Sequence, residues 1–457
     1  MRKLFFSVVL MSLGLAAQAN YQVQIAENGA VRTLPVHSVE VSKHAWGKTV
    51  HMPMYYVSYA TTNAIEVTVT PANPWQKADV RPQSRGISVQ RQGNSAVFTL
   101  SEPRNAVVEF DGERFGNLAL FIGSPLESTG KETYRFGPGY HKLTEPLALK
   151  SNESLWVDEG AFIEGSVNVI EATNVTVRGR GVIRSARKGL DADAAVFVKR
   201  SKNVKIEGII GRSCPVGESR DVSFNDVKVI TSTRWGDGLN VFASTNVTYK
   251  TVFVRSSDDC TTAYATRLGH KGGVQHVVME DAILWADQAH PIMIGLHGDA
   301  VKHDTIEDLT YRDIDILDQN EAQVDYQGAL AINCGDNNTV KDVLFEDIRI
   351  EKLRSGSPIH IKVVFNSKYC AAPGAGVENV TFRRIDVNDP TPGMSIVTGY
   401  AEDRAVKGLV FEDFRVNGRL MTDDMKGKPS YYHTTDFLPL YMGPHVEKPI
   451  FRAAAKM

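Results

Sequence analysis

The sequence has little net charge and no long apolar run after its first twenty residues. Its 51 Lys and Arg residues nearly balance its 53 Asp and Glu residues, which gives a formal net charge of −2 and a pI of about 6.6. This balance gives no electrostatic reason to expect nucleic acid or an anionic membrane surface as a partner. No later segment is long and apolar enough to span a bilayer. With 42% hydrophobic residues, we expect a soluble globular protein with sizeable cores.

Cysteine is also scarce, with only four residues in 457. Cys214, Cys260, Cys334 and Cys370 lie far apart and form no CxxC motif, which gives little support for a zinc site. Three disulfide pairings are possible, and stacked buried thiols are as plausible as any bridge. We expect neither a metal ion nor another cofactor.

The N-terminus, MRKLFFSVVLMSLGLAAQAN, has two basic residues, an apolar stretch and a small-x-small pattern. These features predict a signal peptide over residues 1–19 with cleavage after Ala19, and an uncleaved anchor is the alternative. We therefore expect an exported protein, periplasmic or extracellular.

A repeated line of about nine residues is the main feature of the C-terminal two thirds. Its fourth residue is aromatic or Met and recurs at intervals of 25 to 37 residues. The seven copies are DVSFNDVKVI (221–230), NVTYKTVFV (246–254), HVVMEDAIL (276–284), DLTYRDIDIL (308–317), DVLFEDIRI (342–350), NVTFRRIDV (379–387) and GLVFEDFRV (408–416). A repeat of this length indicates a solenoid.

Within each copy the apolar residues lie mostly two apart, and Val, Ile, Thr, Phe and Tyr are common. Both features predict strands. Because such a unit cannot bury its apolar face alone, we predict an all-β fold built on a right-handed parallel β-helix with one coil per repeat. The rival, a leucine-rich-repeat horseshoe, is not favoured because its LxxLxLxxN pattern is absent.

The region before the repeats has alternating strands and short turns but no long repeat. We interpret residues 20–128 as an N-terminal β-sandwich, 129–420 as the β-helix that carries the catalytic site, and 421–457 as a C-terminal cover.

Asp237 and the pair Asp258-Asp259 fall in matching places of two successive repeats, 21 residues apart. Neighbouring coils are about 4.7–4.9 Å apart, so the three carboxylates should converge within roughly 5–10 Å. This range overlaps the separation of about 6.5–9.5 Å in inverting glycosidases. Mutual repulsion should raise the pKa of at least one carboxyl, which could then serve as general acid while the others act as base.

The alternative is that these acidic residues simply end strands. Three similar pairs exist, but they lie inside the repeats at a solvated position, and they are Glu280-Asp281, Glu346-Asp347 and Glu412-Asp413.

The repeat region resembles the pectinase and dextranase group of β-helix hydrolases, glycoside hydrolase families 28 and 49, over roughly residues 130–370. The resemblance is carried in order by WGDGL (235–239), DDC (258–260) and HPIMIG (290–295), with similar opening coils in FGPGYHKL and NVTVRGRGVIRS. An N-terminal sandwich is more similar to the dextranase layout. The resemblance implies that Asp258 is the general acid, that Asp237 and Asp259 activate water for inversion, and that His290 lies near the site. A buried structural His is the alternative for His290.

Departures from the family pattern bear on the substrate. Where pectinases have Asn-Thr-Asp, this sequence has Trp235-Gly236-Asp237, and the Gly-His-Gly pattern is missing. The Arg-Ile-Lys pattern is also missing. By coil order its place falls near Ala331-Ile332-Asn333, with Ile361-Lys362 one coil later. In the family, Arg-Ile-Lys recognises the carboxylates of uronates. Because this pattern is missing here, we predict a neutral or differently charged polysaccharide or oligosaccharide substrate, such as a dextran-like glucan.

Several side chains around the triad could line sugar subsites, with core packing or a solvated edge as the alternative for each. Besides His290, they are Arg234, Trp235, Tyr264, Arg267, Trp285 and His297. A polysaccharide lyase and a non-catalytic carbohydrate-binding β-helix remain alternatives of other classes, because fold alone does not choose among them. The linkage, endo or exo action and the oligomeric state are left open.

Overall fold

The computed structural model describes residues 20–45, 48–185 and 194–454, and nearly all of its regular structure is β-strand. Two single turns of 3₁₀-helix, Gln83–Arg85 and Thr434–Asp436, interrupt the strands. Across these described ranges, no helix has the length and apolarity needed to cross a membrane. The predicted signal peptide lies outside the described residues.

The N-terminal region forms a β-sandwich of two five-stranded sheets. In sheet order, the first contains Ala30–Leu34, Tyr21–Glu27, Ile65–Pro71, Ser95–Leu100 and Gln90–Gln92. The second contains His37–Ala45, Lys48–Ala60, Leu118–Gly123, Asn105–Phe110 and Ala78–Arg81. Burial alternates along Ile65–Pro71, and its inward residues Ile65, Val67 and Val69 join one core between the sheets, as expected for a strand with one buried face.

The rest of the chain winds into a right-handed parallel β-helix, as predicted. One wall is an 11-stranded sheet: Leu147–Leu149, Val167–Ile170, Val196–Lys199, Val216–Gly217, Leu239–Phe242, Thr261–Tyr264, Ile292–Gly295, Leu330–Cys334, Ile359–Val363, Ser395–Thr398 and Leu440–Met442. We call this the front sheet.

A 21-stranded sheet forms the remaining walls. Its strands are Tyr134–Phe136, Gly139–Lys142, Ser154–Val157, Ala161–Glu164, Thr173–Gly179, Val182–Arg184, Lys202–Glu207, Ile210–Gly211, Arg220–Asn225, Lys228–Ile230, Thr245–Lys250, Phe253–Ser256, Val274–Ala286, Thr305–Asn320, Thr339–Ile350, Leu353–Ser355, Gly376–Val387, Val406–Glu412, Arg415–Val416, Arg419–Leu420 and Ile450–Arg452. Its pairings are parallel except for the short hairpin between Arg415–Val416 and Arg419–Leu420.

The strand register confirms the seven-copy repeat. Each predicted aromatic or Met position pairs directly with the next, in the order Phe224, Tyr249, Met279, Tyr311, Phe345, Phe382 and Phe411. These side chains are buried, and the aromatic neighbours stack with ring centroids 4.9 to 5.6 Å apart. Phe451 extends the ladder, with its ring 4.4 Å from that of Phe411.

A column of residues with left-handed backbone conformation marks one corner of successive coils. The column reads Asn174, Asn203, Asp221, Asn246, His276, Asp308, Asp342, Asn379 and Gly408, all with φ between 52° and 65°. Asn, Asp and Gly tolerate this conformation best, which explains why they occupy this position in nearly every repeat. The Asn side chains also bond between coils, as from Asn379 Nδ2 to Asp342 Oδ1 at 3.0 Å.

The sandwich packs on the outside of the 21-stranded sheet. Val41, Met54 and Phe121 of the sandwich share an apolar cluster with Phe253 and Trp285 of the helix. A fully buried ion pair borders this cluster, in which Arg255 Nε lies 2.9 Å from Asp287 Oδ2. The interface therefore combines apolar burial with a paired buried charge.

All four cysteines are free and buried, so the alternative of buried thiols without a bridge holds in this structure, while their stacking remains a prediction. Cys214, Cys260 and Cys334 belong to the apolar core of the helix, where they pack as small hydrophobic residues.

Candidate active site

The three predicted carboxylates lie together at the start of neighbouring front-sheet strands. Asp237 precedes Leu239–Phe242, and the pair Asp258-Asp259 precedes Thr261–Tyr264 in the next coil. Leu239 pairs with Thr261, and the Gly238 amide donates to the Asp259 carbonyl at 2.9 Å. The strand register therefore brings the two segments side by side, as the repeat predicted, while the separation of 5–10 Å between carboxyl groups remains a prediction.

Asp237 is crowded by protein atoms but keeps part of its surface open. Burial, followed by the charge of Asp259, raises the pKa of Asp237 from 3.8 to about 7. Asn240 Nδ2 donates to Asp237 Oδ2 at 2.9 Å and, together with the charge of Arg267, opposes this increase. Asp237 therefore changes charge near neutral pH.

Asp258 has the most strongly raised pKa of the three. Burial is the largest cause, and the charges of Asp237, Asp259 and Glu321 add to it. The backbone amide of Asp259 donates to Asp258 Oδ1 at 3.1 Å and only partly opposes these effects. From the sequence we expected charge repulsion alone to raise the pKa of one carboxyl, whereas removal of Asp258 from water contributes more.

Asp259 is the most hydrogen-bonded of the three carboxylates. It accepts from the Tyr264 hydroxyl at 3.0 Å, from the His290 backbone amide at 3.1 Å and from His290 Nδ1 at 2.7 Å. An ionised carboxylate accepts hydrogen bonds and donates none, so this set of donors suits the charged form.

His290 is fully buried behind Asp259. Its second ring nitrogen, Nε2, donates to the Tyr326 carbonyl at 2.8 Å. Burial alone would lower the pKa of His290, but the charge and hydrogen bond of Asp259, with Glu321 and the Tyr326 carbonyl, raise it from 6.5 to about 8. Both ring nitrogens therefore face acceptors, as an imidazolium requires.

This geometry corrects the prediction that His290 binds substrate. Neither ring nitrogen is open to a sugar, since Nδ1 faces Asp259 and Nε2 faces a backbone carbonyl. His290 instead positions Asp259.

The three similar acidic pairs in the repeats have a different environment. Glu280 is bridged by Lys250 and Arg312, Glu346 by Arg383 and Arg384, and Glu412 by Arg383 and Arg452. Hydrogen bonds from these basic side chains lower the pKa of Glu280, the opposite of the direction found for Asp237 and Asp258. The first residue of each pair is therefore held in structural ion pairs, but Glu412 is only 9% exposed, so the expected solvated position does not hold for it.

Four of the predicted sugar-contacting residues lie near the carboxylates. The Trp235 side chain is 62% exposed, and the Arg234 guanidinium lies 4.4 Å from its ring centroid. The Arg267 guanidinium lies 5.2 Å from the Tyr264 ring centroid, and His297 meets the same ring edge-on at 5.0 Å. Arg267 Nη1 is buried, with no hydrogen-bond partner among the residues that the structure describes.

Two other expectations about sugar contacts are wrong. Trp285 is 0% exposed because the sandwich covers it, and its ring lies 4.2 Å from the Arg255 guanidinium. It therefore has no face open to a sugar. Tyr264 is 4% exposed, with its ring under Arg267 and its hydroxyl on Asp259, so it supports the carboxylate instead of forming a stacking platform.

Three residues near the site were not singled out from the sequence. Asn240 follows Asp237 by three positions, and a search for amides near the triad could have found it. Glu321 and Tyr326 lie on the 321–329 loop, far from the triad in sequence. No sequence signal connects this loop to the site.

In the coil where the family pattern would place Arg-Ile-Lys, this chain has Ala331 and Asn333, which carry no positive charge. Asn333 pairs with Lys362 of the next coil, as the coil order predicted. The Lys362 ammonium forms an ion pair with Asp325.

Comparison with known proteins gives one curated relative and several solved structures of similar fold. A probable endo-xylogalacturonan hydrolase A of Neosartorya fischeri is 22% identical over 258 residues, which is 50% of this chain and 60% of the relative. The chain thus spans less than two thirds of that protein.

Among solved structures, Dex49A from Penicillium minioluteum has a TM-score of 0.51 and 12% identity, over 93% of this chain and 94% of its own. A family 28 exopolygalacturonase of Yersinia enterocolitica has a TM-score of 0.48 and 12% identity, over 86% and 98% of the two chains. The likeness to Dex49A extends over nearly the whole chain, so it supports the sandwich and β-helix architecture. The profile described as Glycosyl hydrolases family 28 matches residues 156–430, more than half of the chain, so the chain belongs to this family of glycoside hydrolases.

Proposed function

We propose that the protein hydrolyses a glycan with inversion of configuration, with Asp258 as general acid and Asp237 and Asp259 as the base. The observation that carries this proposal is the contrast within the triad. Within the part of the chain that the structure describes, Asp258 has a strongly raised pKa and one backbone donor, whereas Asp259 accepts three hydrogen bonds. Such a contrast in environment is how paired carboxylates acquire different roles.

In this mechanism Asp258 transfers its proton to the glycosidic oxygen as the bond from that oxygen to the anomeric carbon breaks. A water molecule attacks the anomeric carbon from the opposite face, and Asp237 and Asp259 take up its proton. Return of that proton to Asp258 through solvent restores the starting state. Because Asp237 has a pKa of about 7, the base should become fully charged only as the pH rises through neutrality.

We propose a pectin-type glycan, one that contains uronate residues, as the substrate. The buried and unpaired Arg267 Nη1 beside Asp237 is suited to a sugar carboxylate, because guanidinium groups bind carboxylates well. The xylogalacturonan hydrolase relative supports the same class. Trp235 and Arg234, on the exposed loop before Asp237, would contact the sugar, and His297 would border it.

A neutral, dextran-like glucan is the second candidate. Ala331 and Asn333 leave the Arg-Ile-Lys coil uncharged, and the nearby Lys362 is already paired with Asp325. We also propose that the protein is exported to the periplasm or the medium, on the basis of its N-terminal sequence.

The test compares sugar release by the wild-type protein and Asp258→Asn on a panel of purified glycans. The panel includes polygalacturonate, xylogalacturonan, dextran and other plant and bacterial polysaccharides. Asp347→Asn is the matched control, because its carboxyl is paired with Arg384 in a repeat far from the triad. We expect one pectic glycan to be cleaved by the wild type and the control, and a loss of about a hundredfold or more in Asp258→Asn.

Proton NMR of the first product tests inversion. Retention of the anomeric configuration would contradict the mechanism, and equal activity in Asp258→Asn would remove Asp258 as the acid. Cleavage of dextran but not of pectic glycans would select the second substrate class.

A further inference from the structure

A cavity of about 440 Å³ lies toward the C-terminal end of the front sheet. Three exposed aromatic side chains line it: Phe365 is 46% exposed, Tyr400 47% and Tyr441 56%. Lys362 and Asp325, which are ion-paired, complete one side. The volume is within the range of about 300–1,000 Å³ typical of small-molecule sites.

The cavity and the carboxylate triad share one face of the front sheet. A row of directly paired residues leads from Asn240, which holds Asp237, through Thr262 and His360 to Tyr441. Residues on either side of this row, such as Val241 and Ile361, point into the core. The row therefore faces away from the core, but Asn240, Thr262 and His360 are at most 1% exposed. Met293 and Ala331, which lie between Thr262 and His360 in the row, pack in a buried cluster with Tyr326 of the 321–329 loop.

The distance along the helix axis follows from the coil spacing. Three coil steps separate Thr262 from His360, and two more lead to Tyr441. At about 4.8 Å per step, the cavity lies roughly 14 to 24 Å from the coil of Asp258.

One loop connects the two regions. In residues 321–329, the Glu321 charge acts on Asp258, and the Tyr326 carbonyl accepts from His290. The same loop supplies Asp325 to the wall of the cavity. The triad and the cavity therefore lie beside the same loop, on one wall of the helix, and a chain that joins them would pass over this loop.

The chemistry of the cavity suits sugar rings. Exposed aromatic faces offer flat apolar surfaces beside polar tips, and a cluster of them on an otherwise polar surface marks a binding site. Lys362 and Asp325 are paired with each other, so together they add no net charge to the cavity.

We propose that this cavity binds remote residues of the same glycan chain whose bond is cleaved at the triad, about three to five sugars away if each sugar advances by about one coil. The proposal rests on the proposed function and adds to it a dependence on chain length. A cavity three coils or more from the triad contributes to binding only when the glycan chain is long enough to reach it.

Calorimetric titration of the Asp258→Asn protein, which should bind without cleaving, tests this proposal. The probes are a trisaccharide and an octasaccharide of galacturonate, with the corresponding isomalto-oligosaccharides as a second series. We expect the octasaccharide of one series to bind about tenfold or more tightly than its trisaccharide. Adding Tyr400→Ala and Tyr441→Ala should remove this gain and leave trisaccharide affinity unchanged. Tyr140→Ala is the control, because Tyr140 is 55% exposed but lies in the first coils.

The outcomes separate the two proposals. Equal affinity for short and long probes, or a gain that survives the double substitution, would overturn the cavity assignment and leave the proposed function standing. Failure of every probe in both series to bind would overturn the proposed substrate classes, and the cavity assignment with them. Unchanged trisaccharide binding in the double variant also serves as the check on folding.

Discussion

Replacing Asp237 by Asn tests whether the protein gives up stability to maintain its carboxylate site. Burial and the charge of Asp259 raise the pKa of Asp237 from 3.8 to about 7. A carboxyl with a higher pKa in the folded state binds its proton more tightly when folded. Its stabilising contribution is therefore full below pH 3.8 and is lost as the pH rises through 7.

The size of the effect follows from the two pKa values. Their difference of about 3.2 (7 − 3.8) corresponds to about 4 kcal/mol, at about 1.4 kcal/mol per pKa unit. About 3 kcal/mol of this should be lost between pH 5 and pH 8. Asn has nearly the same shape and can still accept the hydrogen bond from Asn240, but it carries no charge at either pH.

Urea denaturation of the wild type and Asp237→Asn at pH 5 and pH 8 measures the difference. We expect the variant to gain about 3 kcal/mol more over the wild type at pH 8 than at pH 5, while losing activity. Comparison at each pH cancels the titrating groups that do not interact with Asp237. Asp342→Asn, at an exposed corner far from the site, should show no such pH dependence. An equal effect of Asp237→Asn at both pH values would refute the reasoning.

Three further substitutions test positioning and packing. Tyr264→Phe removes a hydrogen bond to the Asp259 carboxylate worth about 1.5–3 kcal/mol, so kcat should fall roughly tenfold to a hundredfold with KM little changed, and an unchanged kcat would contradict the positioning role. Phe382→Ala empties one place in the aromatic ladder and should lower the free energy of unfolding in urea by about 3–5 kcal/mol. Arg255→Ala leaves the buried Asp287 carboxylate with the longer ion pair to Arg114, at 3.7 Å, and should also cost about 3–5 kcal/mol in urea denaturation. A cost below about 1 kcal/mol would mean that the Arg255–Asp287 pair is solvated.

Each of these substitutions has a matched control in the chain. Tyr249→Phe removes a buried hydroxyl that has no hydrogen-bond partner among the described residues, and it should leave kcat unchanged. Phe162→Ala removes a stacked ring that is 36% exposed and should cost much less than Phe382→Ala, so similar costs would argue against the ladder as a core. Arg312→Ala breaks an exposed ion pair with Glu280 and should cost less than about 1 kcal/mol.

The helical repeat could be predicted because its causes are local in sequence. The left-handed corner favours Asn, Asp or Gly, which occupy it in nearly every coil, and the fourth residue of each copy meets the same ladder, as Phe345 meets Phe382. The triad could be predicted for the same reason, since the phase of the repeat determines which residues precede the front-sheet strands. Asp237 and Asp258 therefore become neighbours through register alone.

The environment of the site could not be predicted in the same way. Alternation indicates that Trp285 faces outward, but it does not reveal that the sandwich covers this outward face. Glu321 and Tyr326 reach the site on a loop whose path no repeat defines. His290 follows from the motif, but its full burial depends on the ring and carbonyl of Tyr326, which lie one coil away.

The distribution of hydrogen-bond donors gives a physical basis for assigning unlike roles to three carboxyl groups that share one site. Asp259 receives two side-chain donors and one backbone donor, and Asp237 receives the Asn240 amide and a backbone amide. Among the described residues, Asp258 receives a single backbone amide. Donors stabilise the charged form, and without them burial favours the protonated form. Negative charge should therefore reach Asp237 as the pH approaches 7 and Asp258 only after Asp237. This order is the one that a general acid beside a carboxylate base requires, and it supports Asp258 as the proton donor independently of the family motif.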